Sequence, residues 1–263
     1  MKSQKLYIFL TIVITLCVHT GCSTSEDSPQ TAVKADPAAV AAAVQQAENL
    51  FMQRNDVSKL KEAIAGLATA RKANPRSFDL EWRYAKFNYF LGKQQTDDDK
   101  AAIATFTLGR DAGKIAANLA PDKPDGHFWY GANLGEIARL DSLAGVTEIK
   151  TIQQEMNKVL EIKPDYQNSS AYDALAQVEL ESGLIGGSAQ KAADLLQKAL
   201  ETEKDNSYLH LHLAQAFIAL HRDADARREL ETVLKMKPNP DYKIEYDASV
   251  AEAKKILASH FPS

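Results

Sequence analysis

The chain has 263 residues, enough for one large domain or an array of helices, and its formal charge of −4 would become −6 on loss of Lys2 and Lys5 with a leader ending at Gly21. An acidic chain without a basic stripe makes a poor nucleic-acid binder. Its two cysteines, Cys17 and Cys22, lie in the leader region, so the body offers no disulfide framework, thiolate metal site or cysteine nucleophile.

The leader comes first in the chain. Lys2 and Lys5 precede an apolar run from Leu6 to Val18, which is shorter than the roughly 20 residues a spanning helix needs. Basic start, apolar centre and small residues form a secretory signal. Its end, Val18-His19-Thr20-Gly21-Cys22-Ser23, resembles a bacterial lipobox, with His19 replacing the usual aliphatic residue. The expectation is a lipoprotein signal peptide over 1–21 and acylation of Cys22, palmitate included. Lipid is then the chain's attachment to a membrane. Ser23, where an aspartate would retain a lipoprotein at the inner membrane, points to the outer membrane of a Gram-negative bacterium, facing the periplasm. The polar residues 22–36 read as a flexible tether.

Residues 37–263 read as an all-α solenoid. Glycine and proline are sparse, alanine is frequent, and no segment alternates with strict period two, so almost no strand is expected. The clearest repeat is Ser207–Pro238. Leu209, Leu213, Phe217 and Leu220 share one helical face, a break follows at His221-Arg222-Asp223, and Ala226, Leu230 and Val233 form a second face that Pro238 stops. This is the tetratricopeptide (TPR) pattern, a helix-turn-helix unit that buries its apolar faces by stacking on neighbours. The spacing Ala226, Leu230, Val233, Pro238 recurs as Ala63, Leu67, Ala70, Pro75, then as Gly109, Gly113, Ala116, Pro121, and as Ile152, Met156, Val159, Pro164. It recurs once more as Ala192, Leu196, Ala199 with Lys204 in the proline's place. First helices are expected near 38–54, 77–92, 125–140, 169–182 and 207–220, giving about five pairs. A capping helix over Tyr242–His260 presents Ile244, Val250, Ala251, Ile256 and Leu257.

The units are irregular. The stretch between the two small anchors is shortest in the last unit, Ala214 to Ala226. It lengthens through Ala176 to Ala192 and Gly131 to Ile152, and is longest from Ala85 to Gly109. Longer helices or larger turns are therefore expected along one edge, where insertions often build a binding site or an oligomer contact.

The third unit contains Phe128-Trp129-Tyr130-Gly131-Ala132-Asn133-Leu134-Gly135, and the fourth Gly186-Gly187-Ser188-Ala189-Gln190-Lys191-Ala192. This order resembles the T-component family of TPR-associated TRAP transporters, periplasmic lipoproteins also called TatT, over roughly Asn74 to Leu257. Eukaryotic regulators of microtubule dynamics share a similar aromatic helix, but the bacterial-type leader argues against that branch. The resemblance implies an all-helical, oligomeric protein with a central pore. It further implies partnership with an extracytoplasmic solute-binding P component and a hydrophobic small ligand. The alternative is a TPR scaffold for protein–protein interactions in envelope assembly.

No catalytic motif stands out, so the chain reads as a non-enzyme without cofactor. His210 and His212 are two apart, on different helix faces, which disfavours a shared metal. Asp97, Asp98 and Asp99 read as a helix start favoured by its dipole rather than as calcium ligands. Asp56 and Ser188 read as N-caps. Glu136 with Glu181 is the carboxylate pair that an enzyme reading would need.

In TPR stacks the first helices line the concave face. Counting three residues before, one after and four or five after the anchors selects Trp82, Lys86, Tyr89 and Phe90, then Phe128, Ala132, Gly135 and Glu136. The same count selects Asp173, Gln177, Leu180 and Glu181, then Leu211, Gln215, Ile218 and Ala219. Aromatic at one end with scattered polar groups, this groove suits a ligand with an apolar body and a polar head.

Overall fold

The computed structural model describes residues 36–95, 97–183 and 186–261. The expected signal peptide, Cys22 and nearly all of the tether lie outside the described residues. Among those described there is no strand. Five helix pairs follow in order: α1 (Pro37–Phe51) with α2 (Val57–Ala73), α3 (Phe78–Lys93) with α4 (Asp99–Leu119), α5 (Pro124–Leu140) with α6 (Ser142–Ile162), α7 (Ser170–Glu181) with α8 (Ala189–Leu200), and α9 (Ser207–Ala219) with α10 (Asp223–Lys235). A short 3-10 turn leads to α11 (Lys243–His260), which packs on α9 and α10 as a cap.

Polar side chains that satisfy free backbone N–H groups set the helix starts. Asp36 accepts from Ala38 and Ala39 ahead of Pro37, and Asp56 accepts from Ser58. Asp98 accepts from Ala101, which gives the acidic triplet its structural role as a cap. Ser188 accepts from Lys191 and Asn206 from Tyr208. The apolar positions of the second-helix spacing are buried apart from half-buried Ala70: Ala63, Leu67, Met156, Val159, Leu196, Leu230 and Val233 have no exposed surface. The extra residues of the second and third units lengthen their second helices, so that α4 and α6 each run 21 residues against 13 for α10. In α11 the buried residues are Ser249 and Ala253, and Ala251 is exposed, contrary to the expected face. Small side chains let α11 approach α9 closely, and Ser249 Oγ sits 3.1 Å from Ser207 Oγ.

The tightest crossing is between α4 and α5. A Cβ added at Gly113 would lie 2.6 Å from the Tyr130 backbone nitrogen, and one at Gly126 would lie 2.3 Å from that of Ala117. Between them Asn133, fully buried, donates from Nδ2 to the carbonyls of Trp129 at 2.7 Å and Ala85 at 3.2 Å, tying α5 to α3.

Two histidines occupy equivalent places. His127, near the start of α5, bonds Glu155 of α6 through Nδ1 at 2.6 Å and the Pro121 carbonyl through Nε2 at 3.1 Å. His210, near the start of α9, bonds Glu229 of α10 at 2.7 Å and the Lys204 carbonyl at 2.9 Å. The Glu155 bond raises the His127 pKa against burial. Burial is the largest influence at His210 and lowers its pKa, but the bonds to Glu229 and Lys204 outweigh it and raise it on balance. Raised folded-state values mean that protonation stabilises the fold below the unfolded value near 6.5, and that this stabilisation is lost as pH rises through the folded values. The denaturant midpoint is therefore expected to fall as pH rises above about 6.5, where the two histidines lose their charge. Replacing both histidines by Gln should flatten that slope in urea titrations.

Candidate functional site

The two ends of the array meet. Arg54, in the turn after α1, lies over the Phe51 ring at 4.9 Å and the Phe90 ring at 5.4 Å, and pairs with Glu245 of α11 at 3.2 Å. The Gln94 side chain, just past α3, donates to the Arg54 carbonyl at 3.1 Å. The concave face is consequently bounded at both ends, as a chamber of about 1540 Å³.

Its walls differ in chemistry. One is aromatic: Tyr89 packs at 5.6 Å from Phe90 and 5.5 Å from Trp129, and Phe128 meets Trp129 edge-on at 4.9 Å. A second is polar, formed by Ser170, Asp173, Gln177 and Glu181 along one face of α7. Tyr208 and His212 of α9, and Tyr242 and Tyr246 around the start of α11, complete the lining. Burial raises the Tyr89 pKa well above the usual phenol value and lifts that of Tyr208 to about 12, so both hydroxyls stay neutral hydrogen-bonding groups.

The charged groups are mostly paired. Glu136 bonds Lys93 at 2.7 Å and Arg139 at 2.9 Å, and Asp173 accepts from His212 Nδ1 at 2.6 Å. Burial raises the Glu181 pKa; nearby Arg139 opposes the rise and Glu136 adds to it. The turn entering α7 places Gln167, Asn168 and Ser169 consecutively at positive φ, of 49°, 55° and 61°. For non-glycine residues this conformation costs about 1–2 kcal/mol each. Asn206 holds the turn by donating to the Asn168 carbonyl at 3.2 Å, and Ser170 Oγ donates to that of Gln167 at 2.5 Å. Gln167 and Asn168 both line the chamber.

Of the residues selected from the sequence, Tyr89, Phe90, Phe128, Ala132, Gly135, Glu136, Asp173, Gln177 and Glu181 line the chamber. Trp82, Lys86 and Leu211 do not, nor do Leu180, Gln215, Ile218 and Ala219. Trp82 is stacked by the Arg83 guanidinium at 4.1 Å. The Lys86 ammonium lies 4.4 Å over Phe51 of the first pair, where burial lowers its pKa. Leu211 is core, only 3% exposed. The reason is superhelical: the chamber crosses the first helices obliquely. It uses the C-terminal end of α3, the lengths of α5 and α7, and the N-terminal end of α9, whereas one register applied to every helix assumes a straight groove. The sequence reading missed Arg54, Lys93, Arg139, Tyr208 and His212. Tyr242 and Tyr246, four apart on the capping segment, were the signal available for that wall.

Among the described residues no group of three or more His, Cys, Asp or Glu side chains is placed to hold a metal, and no helix is long and apolar enough to cross a membrane.

Known proteins resemble the chain in two ways. Residues 43–172, from α1 into α7, match the family described as regulator of microtubule dynamics protein 1-3, and residues 184–244 match a tetratricopeptide repeat family. No curated protein matches the sequence. Among solved structures, a thermophilic TPR protein of Thermus thermophilus aligns at 18% identity with a TM-score of 0.54, covering 79% of this chain and 99% of its own. The PilF structure of Pseudomonas aeruginosa aligns at 14% identity with a TM-score of 0.55, covering 86% and 93%. At such identities the likeness is one of fold. The class is an α-solenoid of helix pairs, a scaffold type suited to protein partners. The fold is that of a TPR-type helical repeat array.

Proposed function

We propose that this protein is a lipid-anchored, periplasm-facing accessory subunit of a TRAP-type solute-uptake system. In this reading it catalyses nothing, docks a solute-binding protein, and holds a small ligand with an apolar body in its chamber. The observation that carries the reading is the closure of the array by Arg54 and Glu245. An open TPR groove offers an extended peptide its full length. A chamber of about 1540 Å³ bounded at both ends suits a compact occupant with a largely apolar surface. The lipobox-like leader and the aromatic helix over residues 128–135 support the same assignment. Leu108 and Ile115, exposed and two turns apart on α4, offer apolar surface to a second copy in a homo-oligomer.

Native mass spectrometry of the purified protein is expected to show a retained lipid-like mass, and capture from envelope extracts to recover a solute-binding protein. Recovery of outer-membrane polypeptides with no retained small mass would replace this reading with an envelope-assembly scaffold.

A further inference from the structure

We infer that the chamber takes an amphiphile with a hydroxyl head, and that His212 Nε2 accepts a hydrogen bond from that hydroxyl. The inference rests on the chamber being a small-ligand site, as read above. Asp173 of α7 holds the His212 ring of α9 through Nδ1 at 2.6 Å. An ionised carboxylate only accepts, so Nδ1 carries the proton, and in the neutral ring Nε2 is left as a lone-pair acceptor. Nε2 makes no hydrogen bond among the described residues. The side chain lines the chamber and is 18% exposed, so this lone pair is open to an occupant. His127 and His210 differ, because each spends its second ring nitrogen on a backbone carbonyl.

The surroundings set the occupant's chemistry. The His212 ring cannot turn away without breaking its bond to Asp173, whereas exposed Glu181 and Asp205 can swing into water, so the imidazole is a pre-organised polar contact. Tyr208 lies one turn earlier on α9, its ring 5.7 Å from the imidazole, and also lines the chamber. Its neutral hydroxyl can donate where Nε2 accepts. An alcohol, which gives one hydrogen bond and takes another, suits this pair. A carboxylate head has no proton for Nε2. An ammonium would surrender its water for a neutral acceptor, since Asp173 is already engaged. Tyr89, Phe90 and Trp129 supply apolar surface for the body. That wall is within electrostatic reach of the polar one: after burial, charge at Glu136, Tyr208 and Asp173 acts on the Tyr89 hydroxyl.

The test is calorimetric titration of the protein with octanol, heptyl methyl ether and octanoate at about pH 9, where histidine is ordinarily neutral. The ether is an isomer of octanol that lacks the O–H donor. Octanol is expected to bind at least about fivefold more tightly than the ether, the scale of one neutral hydrogen bond, and octanoate most weakly. His212→Phe should bring octanol down to the ether's level, with the thermal melt reporting its folding. On the unaltered protein, long-range proton–nitrogen NMR should show Nε2 of His212 without a proton, its resonance moving with octanol and not with the ether. Tightest binding of octanoate, an octanol preference that survives in His212→Phe, or a proton on Nε2 would overturn the inference. Equal binding of octanol and the ether would remove the inference and leave the chamber reading standing. No binding of any of them would remove both.

Discussion

Gly113→Leu should destabilise the protein by about 3 kcal/mol or more, beyond the usual cost of overpacking a core, because the obstacle is backbone. The Cβ alone would sit 2.6 Å from the Tyr130 nitrogen and 2.7 Å from its Cα, and neither can swing aside as a side chain can. Relief requires α4 and α5 to separate. Separation would strip Asn133 of its bond to Ala85 and shift Trp129 within the chamber wall. In a domain of this size such a loss lowers the melting temperature by about 6–12 °C. Gly66→Ala is the control. Gly66 lies inside α2 with open space around its would-be Cβ, so alanine should add about 0.5–1 kcal/mol. Equal melting temperatures for Gly113→Leu and the parent protein would disprove the backbone contact between α4 and α5.

Leu230→Asp should be costlier still, at about 4–5 kcal/mol, since it removes a fully buried side chain and puts a carboxylate into an apolar cluster. Where that cost falls is the more informative part. Leu230 belongs to the apolar cluster of α7–α11, while a separate cluster fills α1–α7. Each pair rests mainly on its neighbours, so the damage should stay local: α9–α11 melt first and α3–α6 persist. Circular dichroism should then show two urea transitions, with emission from Trp82 and Trp129 following only the second. A single coincident transition would mean that the array folds as one unit. Trp82→Ala, which the straight-groove reading placed at the ligand, should instead loosen the contact between α1 and α3 and leave the chamber lining in place.

These outcomes depend on features of unequal legibility in the sequence. Helix starts were readable because a cap is a local event: Asp56 and Ser188 bond N–H groups within three residues of themselves. The buried second-helix spacing was readable because helical period ties residues four apart to one face. The chamber's path was not readable, because obliquity accumulates from small rotations at each pair junction and no single residue records it. Nor was the turn at 167–169, since its left-handed run belongs to ordinary polar residues held by Asn206 from 38 positions away.

The Arg54–Glu245 pair spans 191 positions, in a molecule whose other packing joins helices close in sequence. Such an array has low contact order and can form quickly from either end. The seam must then form last, after nearly the whole chain is in place, with a loop-closure entropy that grows only logarithmically in length. By the same reasoning it is the least protected junction, able to open while both apolar clusters stay closed. Slow amide exchange in α3–α6 beside fast exchange in the turn at 52–56 and the start of α11 would identify the seam as the door through which the chamber fills and empties.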